Sequence, residues 1–106
     1  MARRPATSPL YSFTARLWRW KGEAPASWVF VTLPAEVALA IRVEASAAPK
    51  AWGSVKVKAK IGKTTWSTSL FPQKETGSYL LPVKAAVRDA EGLNDDDAVD
   101  VTLDLA

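Results

Sequence analysis

At 106 residues, with 48% apolar and 24% charged residues, the chain has the balance of an ordinary globular domain and the length for one hydrophobic core. It holds no Cys and no His, which excludes disulfides, thiol nucleophiles, Cys/His zinc sites and every His-dependent triad or proton shuttle. The net charge of +3 conceals an asymmetry: residues 1–88 carry all 14 Lys and Arg against four acids, while residues 89–106 carry seven acids and no base.

In chain order, "MARRPATSPL" has two arginines and no apolar run behind them, so it does not read as a secretory signal. It reads as a flexible arm over residues 1–10, ahead of a single domain over residues 11–106. No segment is apolar over the roughly 20 residues a membrane-spanning helix needs, and the expectation is a cytoplasmic protein. Residues 11–18 alternate as a strand, with Phe13, Ala15 and Leu17 on one side. Residues 27–33, "SWVFVTL", are apolar on both faces, as in a strand covered on both sides. A short helix should follow Leu33-Pro34, with Val37 and Ile41 on one face. Residues 54–61 set Val55, Val57, Ala59 and Ile61 against Lys56, Lys58 and Lys60. Gly62-Lys63 is then a two-residue hairpin connection with glycine first, as a type II′ turn requires. Residues 64–71 place Trp66, Thr68 and Leu70 on one face, and a brief strand covers 78–81. A second helix should follow Leu81-Pro82, with Val83 and Val87 on one face and Gly92 as its C′ residue. Residues 98–105 alternate once more, Val99, Val101, Leu103 and Leu105 against Asp100, Thr102 and Asp104. Five tryptophans, each able to bury roughly 150–250 Å², should for the most part be core.

The two Leu-Pro pairs lie 48 residues apart, and Ala38 and Leu39 align with Ala86 and Val87. Each half reads strand, strand, helix, strand. Two ββαβ units that cannot bury an apolar face alone should close on one another, which predicts an all-β fold with two short helices: a small closed or split β-barrel of two pseudo-symmetric halves.

The segments "WVFVTLP", "TSLFP", "GSYLLPVKAAVRDAEGL" and "DDAVDVTLDL" resemble a small bacterial family of unknown function, DUF1905, over most of residues 11–105. The resemblance implies a double-split β-barrel, a fold shared with the swapped-hairpin DNA-binding regulators of the AbrB type, and it implies no activity. The family usually has Gly-Asp in the turn before the last strand; here it is Asp96-Asp97, and Asp tolerates a positive φ better than most residues.

Four features compete as sites. "RLWRWK", Arg16 to Lys21, interleaves tryptophans with cations, and Trp18 and Trp20 should share the face of Arg16. Arg16, Trp18, Arg19 and Trp20 form either a platform for a ligand or single-stranded nucleic acid, or a bulge or covering loop that turns both rings inward. Lys56, Lys58 and Lys60 offer an anion-binding face. The plainer readings are that they guard an edge strand or lie opposite Asp100 and Asp104. Lys84 and Arg88 are four apart on the second helix; in AbrB-type regulators basic residues near this element contact DNA, while the plainer reading is a solvated helix face, and Arg88 can also pair with Asp89, Glu91 or a carbonyl at the helix end. Asn94 to Asp97 lacks the spacing of a calcium loop and reads as a polar turn.

No catalytic residue, metal or cofactor is expected. No Gly-rich phosphate loop precedes a helix, and no base stands in a context to activate a serine. The sequence therefore points to a non-catalytic binding module for a small ligand or protein partner, as monomer or dimer. An AbrB-like, dimeric nucleic-acid-binding regulator is the alternative; nucleic acid is possible but not favoured, because the acidic segment weakens the basic one.

Overall fold

The structure, a computed structural model, describes residues 10–20, 28–45, 53–73 and 75–105. The expected N-terminal arm lies, apart from Leu10, outside the described residues. The alternating segments become strands β1 (Leu10–Trp20), β2 (Trp28–Thr32), β3 (Val55–Ile61), β4 (Thr64–Gln73), β5 (Ser78–Pro82) and β6 (Ala98–Leu105). Two helices, α1 (Ala35–Ala45) and α2 (Ala85–Glu91), separate β2 from β3 and β5 from β6. The order is thus ββαβ twice. Every pairing is antiparallel, and the ring closes as β1-β2-β5-β4-β3-β6. Exchanging β1 with β4, β2 with β5 and β3 with β6 maps this ring onto itself, so its connectivity is twofold. Among the described residues no helix is long and apolar enough to cross a membrane.

The period of two decides what lies inside. One residue from each strand, Leu17, Val31, Leu81, Leu70, Ala59 and Leu103, is fully buried. Ala38 and Ile41 of α1 and Val87 of α2 join this core. Fully burying one such aliphatic side chain stabilises the fold by about 1.5–3 kcal/mol.

The tryptophans depart from expectation. Trp66 is core, at 7% exposed, but Trp20 and Trp28 are 46% and 47% exposed, and Trp18 is only part-buried. Trp52 lies outside the described residues. A barrel wall has two faces, and Trp18, Trp20, Trp28 and Phe30 all fall on the outer one. The expectation that β2 is covered on both sides fails for the same reason: Val29 and Val31 are buried inside, while on the outer face Trp28 is exposed and Phe30 only part-buried.

The helices begin differently in the two halves. α1 starts directly after Pro34, whose carbonyl accepts from the Ala38 N–H at 2.9 Å. After Pro82 the strand ladder continues, because the Val83 N–H donates to Val29 O at 2.9 Å, and α2 starts only at Ala85. Pro82 is therefore the last residue of a strand and not the first of a helix. The alignment of Ala38 with Ala86 and Leu39 with Val87 fails in consequence: Ala38 and Val87 are buried, Ala86 and Leu39 exposed.

Two turns follow the sequence closely. Ile61 pairs with Thr64, so Gly62 and Lys63 form a two-residue loop, and Gly62 alone has a positive φ (60°), the pattern of a type II′ turn. Gly92 closes α2 in the left-handed conformation (φ 62°), and the following Leu93 N–H donates to Arg88 O at 2.9 Å. Glu91, in the last turn of α2, accepts from the Thr64 hydroxyl at 2.6 Å and the Lys63 N–H at 3.2 Å, tying the helix to the β3–β4 turn. The Thr64 hydrogen bond, with the Lys63 backbone next, holds the Glu91 carboxyl below the usual glutamate range.

Candidate functional site

The RLWRWK stretch continues β1 without a bulge: Leu17, Trp18, Arg19 and Trp20 pair in unbroken register with Val31, Phe30, Val29 and Trp28. Trp18 and Trp20 share the outer face with Arg16, and Arg19 takes the inner parity at the barrel's end. Trp18 is fixed by its indole N–H, which donates to Thr32 Oγ1 at 2.9 Å, and by the tilted Phe30 ring at 5.3 Å. Lys21 lies outside the described residues.

The two arginines of this stretch are occupied by the acidic turn before β6. Arg16 donates to the Asp96 carbonyl at 2.9 Å, and Arg19 grips both carboxylate oxygens of Asp95, at 2.9 and 3.0 Å. That two-pronged bond holds Asp95 below the usual aspartate range and raises Arg19. The turn is closed locally, the Asn94 N–H donating to Asp97 Oδ2 at 2.8 Å and the Asp97 N–H to Asn94 O at 3.1 Å. Asp96 alone among the described non-glycine residues has a positive φ, 70°. Among the described residues no group of acids is placed to hold a metal ion.

The lysine ladder occupies the outer face of β3, which is bonded to β4 on one side and β6 on the other. It guards no edge, because a closed ring leaves β3 none. Lys58 stands opposite Asp104 and Lys60 opposite Thr102, while Asp100 is taken by the Thr14 hydroxyl at 2.5 Å.

The remaining basic pair leads elsewhere. β5 is only five residues long, and it meets β4 through three pairs, Phe71 to Gln73, and β2 through three more, Phe30 to Thr32. The first half of β4, which carries Trp66 to Thr68, is paired to β3 but has no β5 partner. The chain leaves the seam at Val83 to form α2, and α2 packs along β4 without filling the gap. A cleft of about 420 Å³ remains, lined by Trp28, Val29, Trp66, Ser67, Thr68, Phe71, Pro82, Val83, Lys84, Ala85 and Arg88.

Its base is the buried Val29, Val83 and Trp66; its sides are Trp28 and Phe71, 47% and 45% exposed. Trp28 is backed by Phe30, the two rings nearly parallel (9°) with centroids 6.1 Å apart. Trp18 in turn leans on Phe30, so this tryptophan of the opening strand supports the cleft from behind. Arg88 is anchored by its Nε, which donates to Val83 O at 3.1 Å; its terminal amino groups have no hydrogen-bond partner among the described residues, and neither has the exposed Lys84 ammonium. Among the described residues the lining contains two cations, two hydroxyls and no carboxylate.

Of the residues singled out in the sequence, the structure thus places Lys84 and Arg88 in the cleft and Trp18 behind its wall. Trp20 stands across from Trp28, and Arg16, Arg19 and the three lysines lie outside the lining. Trp28 and Phe71, which with Trp66 dominate the lining, fall within "WVFVTLP" and "TSLFP", two of the segments that carry the family resemblance, and Trp66 shares the alternating face of Thr68 and Leu70, but none of these signals pointed to a site.

A family model described as a domain of unknown function, DUF1905, matches residues 13–103. No curated protein matches the chain.

Proposed function

We propose, from the premise that this chain belongs to the DUF1905 family, that the domain is a non-catalytic binding module whose ligand enters the cleft between β2, β4 and α2. The observation that carries this reading is the make-up of the lining: aromatic sides left half exposed, a buried apolar base, and two cations at the rim. Ligand sites commonly have volumes of about 300–1,000 Å³ and combine apolar walls with a few convergent polar groups. Leaving a tryptophan and a phenylalanine half exposed in one lining forfeits burial that the fold uses elsewhere, and such exposure marks binding surfaces.

Binding is favoured over catalysis because three acids are engaged away from the cleft, Glu91 on the hairpin turn, Asp95 on Arg19 and Asp100 on Thr14, and no acid is among the described lining residues. It is favoured over a nucleic-acid platform on β1 because Arg16 and Arg19, the cations beside Trp18 and Trp20, are tied to the turn at Asp95 and Asp96. The test is an NMR titration of the labelled protein with 1-naphthol. Saturable shifts of the Trp28 and Trp66 indole signals are expected. Shifts confined to Arg16, Trp18, Arg19 and Trp20 on adding a single-stranded oligonucleotide at about 0.15 M salt, with none at the cleft, would instead establish the regulator reading.

A further inference from the structure

We infer that the cleft selects a phosphate monoester on a planar apolar body, the ring lying against Trp28 and Phe71 and the phosphate between Lys84 and Arg88. This rests on the reading of the cleft as the binding site and adds to it the chemistry of the ligand.

The lining divides into two parts. Its apolar part is aromatic and flat-sided: Trp28 is held nearly parallel to Phe30 behind it, so its orientation is set before any ligand arrives. A π-face fixed in this way favours another planar ring over a branched aliphatic group, and stacking is worth most when neither ring must be ordered on binding. Its polar part is of one sign. Lys84 and Arg88 both border the cleft, and among the described residues no acid belongs to the lining. Arg88 acts electrostatically on the Asp95 carboxylate, which is already gripped by Arg19.

Arg88 is also pre-aimed. Its Nε is spent on the Val83 carbonyl, a backbone atom at the cleft's own base, which leaves the two terminal amino groups as a fork directed away from that anchor. Such a fork matches the paired oxygens of a phosphate or a carboxylate. Lys84 contributes a second full charge as a mobile point donor. Two cations with no acid among the described residues of the lining match a dianion better than a monoanion, and a phosphate monoester is close to dianionic at neutral pH. The hydroxyls of Ser67 and Thr68 complete the polar edge.

Four probes separate the possibilities: 1-naphthyl phosphate, 1-naphthoate, neutral 1-naphthol and inorganic phosphate, each titrated into the full chain by calorimetry and by NMR. The expected order is naphthyl phosphate, then naphthoate, then naphthol, with inorganic phosphate weakest because it lacks the ring. Charge-assisted hydrogen bonds justify expecting at least about a tenfold loss of naphthyl phosphate affinity in Arg88→Gln and a several-fold loss in Lys84→Gln, with naphthol affinity unchanged in both. Trp28→Ala should weaken all three ring-bearing probes. Lys84 is exposed, so its variant tests the charge without disturbing the fold. If all three naphthyl compounds bind alike at the cleft, or if the charge variants leave naphthyl phosphate unaffected, the phosphate assignment is overturned while the binding cleft stands. If none shifts Trp28 or Trp66, both readings fall together.

Discussion

Replacing Gly62 by alanine tests the junction between the β3–β4 turn and the end of α2. A Cβ added at this position would lie 2.0 Å from Glu91 Oε1 and 2.7 Å from its Cδ, while the backbone sits at φ +60°. Two separable costs follow. The first is the positive φ: an L-residue there pays about 1–2 kcal/mol in Cβ–carbonyl crowding whatever its surroundings. The second is displacement of the Glu91 carboxylate, which must leave the Thr64 hydroxyl and the Lys63 N–H or push the turn aside. Only the second depends on Glu91. Urea unfolding followed by tryptophan fluorescence should show Gly62→Ala losing more than the 1–2 kcal/mol of backbone strain in the natural chain. In a Glu91→Ala background the same substitution should cost only the strain. In thermal terms, about 4–8 °C is lost per kcal/mol for a domain of this size. Equal costs of Gly62→Ala in the two backgrounds would show that the carboxylate does not sit over the turn, and the argument for the clasp would fail.

Three further outcomes are expected. Asp96→Gly, which relieves the positive φ of 70°, should stabilise by up to about 1 kcal/mol, whereas a β-branched Asp96→Val should destabilise; thermal melts of the two decide it. Leu81→Ala, at a fully buried position of β5, should cost about 2–5 kcal/mol in chemical unfolding; a loss below 1 kcal/mol would mean the interior is not packed as described. For pH, Glu91 and Asp95 both have folded pKa values below their unfolded ones, near 4.3 and 3.9, so their stabilisation is complete above those values and disappears as pH falls through the folded ones. Glu91→Gln should therefore flatten the acid limb of the stability profile, and with no histidine in the chain the profile should stay level from about pH 6 to 8.

Most of the barrel was legible because its signals are local. Strict alternation over 98–105 gave β6 its bounds, and Gly62-Lys63 its turn. The order ββαβ taken twice pointed to a closed ring. What stayed hidden depends on pairings between distant segments. That β5 meets β4 only from Phe71 onward, and so leaves Trp66 to Thr68 beside a gap, is a matter of register that no single segment encodes. Trp28 and Phe71 become neighbours in a lining only once that register is set. The estimate of tryptophan burial failed differently. Area says what burial is worth, but not which face of a strand will be covered, and here the outer face of β1 and β2 carries three of the four described tryptophans. Arg88 was identifiable as a basic position on the second helix, yet its anchor at Val83 exists only because the β2–β5 ladder runs one residue past Pro82.

The pairing of β1 with β6, Leu10 beside Asp104 and Arg16 beside Ala98, joins the earliest strand to the latest. During synthesis, at about 5–20 residues per second, β1 and β3 must wait with bare hydrogen-bonding edges until β6 appears between them. Both halves of the ring are then templates for the wrong strand, including the same strand of another nascent chain. Closure demands contacts of long sequence separation, which places folding among the slow, millisecond-to-second processes. The lysines spaced along β3 acquire a use in that interval that the finished barrel conceals: on an edge that is open only while the chain is being made, like charges hold neighbouring copies apart until Val57, Ala59 and Ile61 find Leu105, Leu103 and Val101.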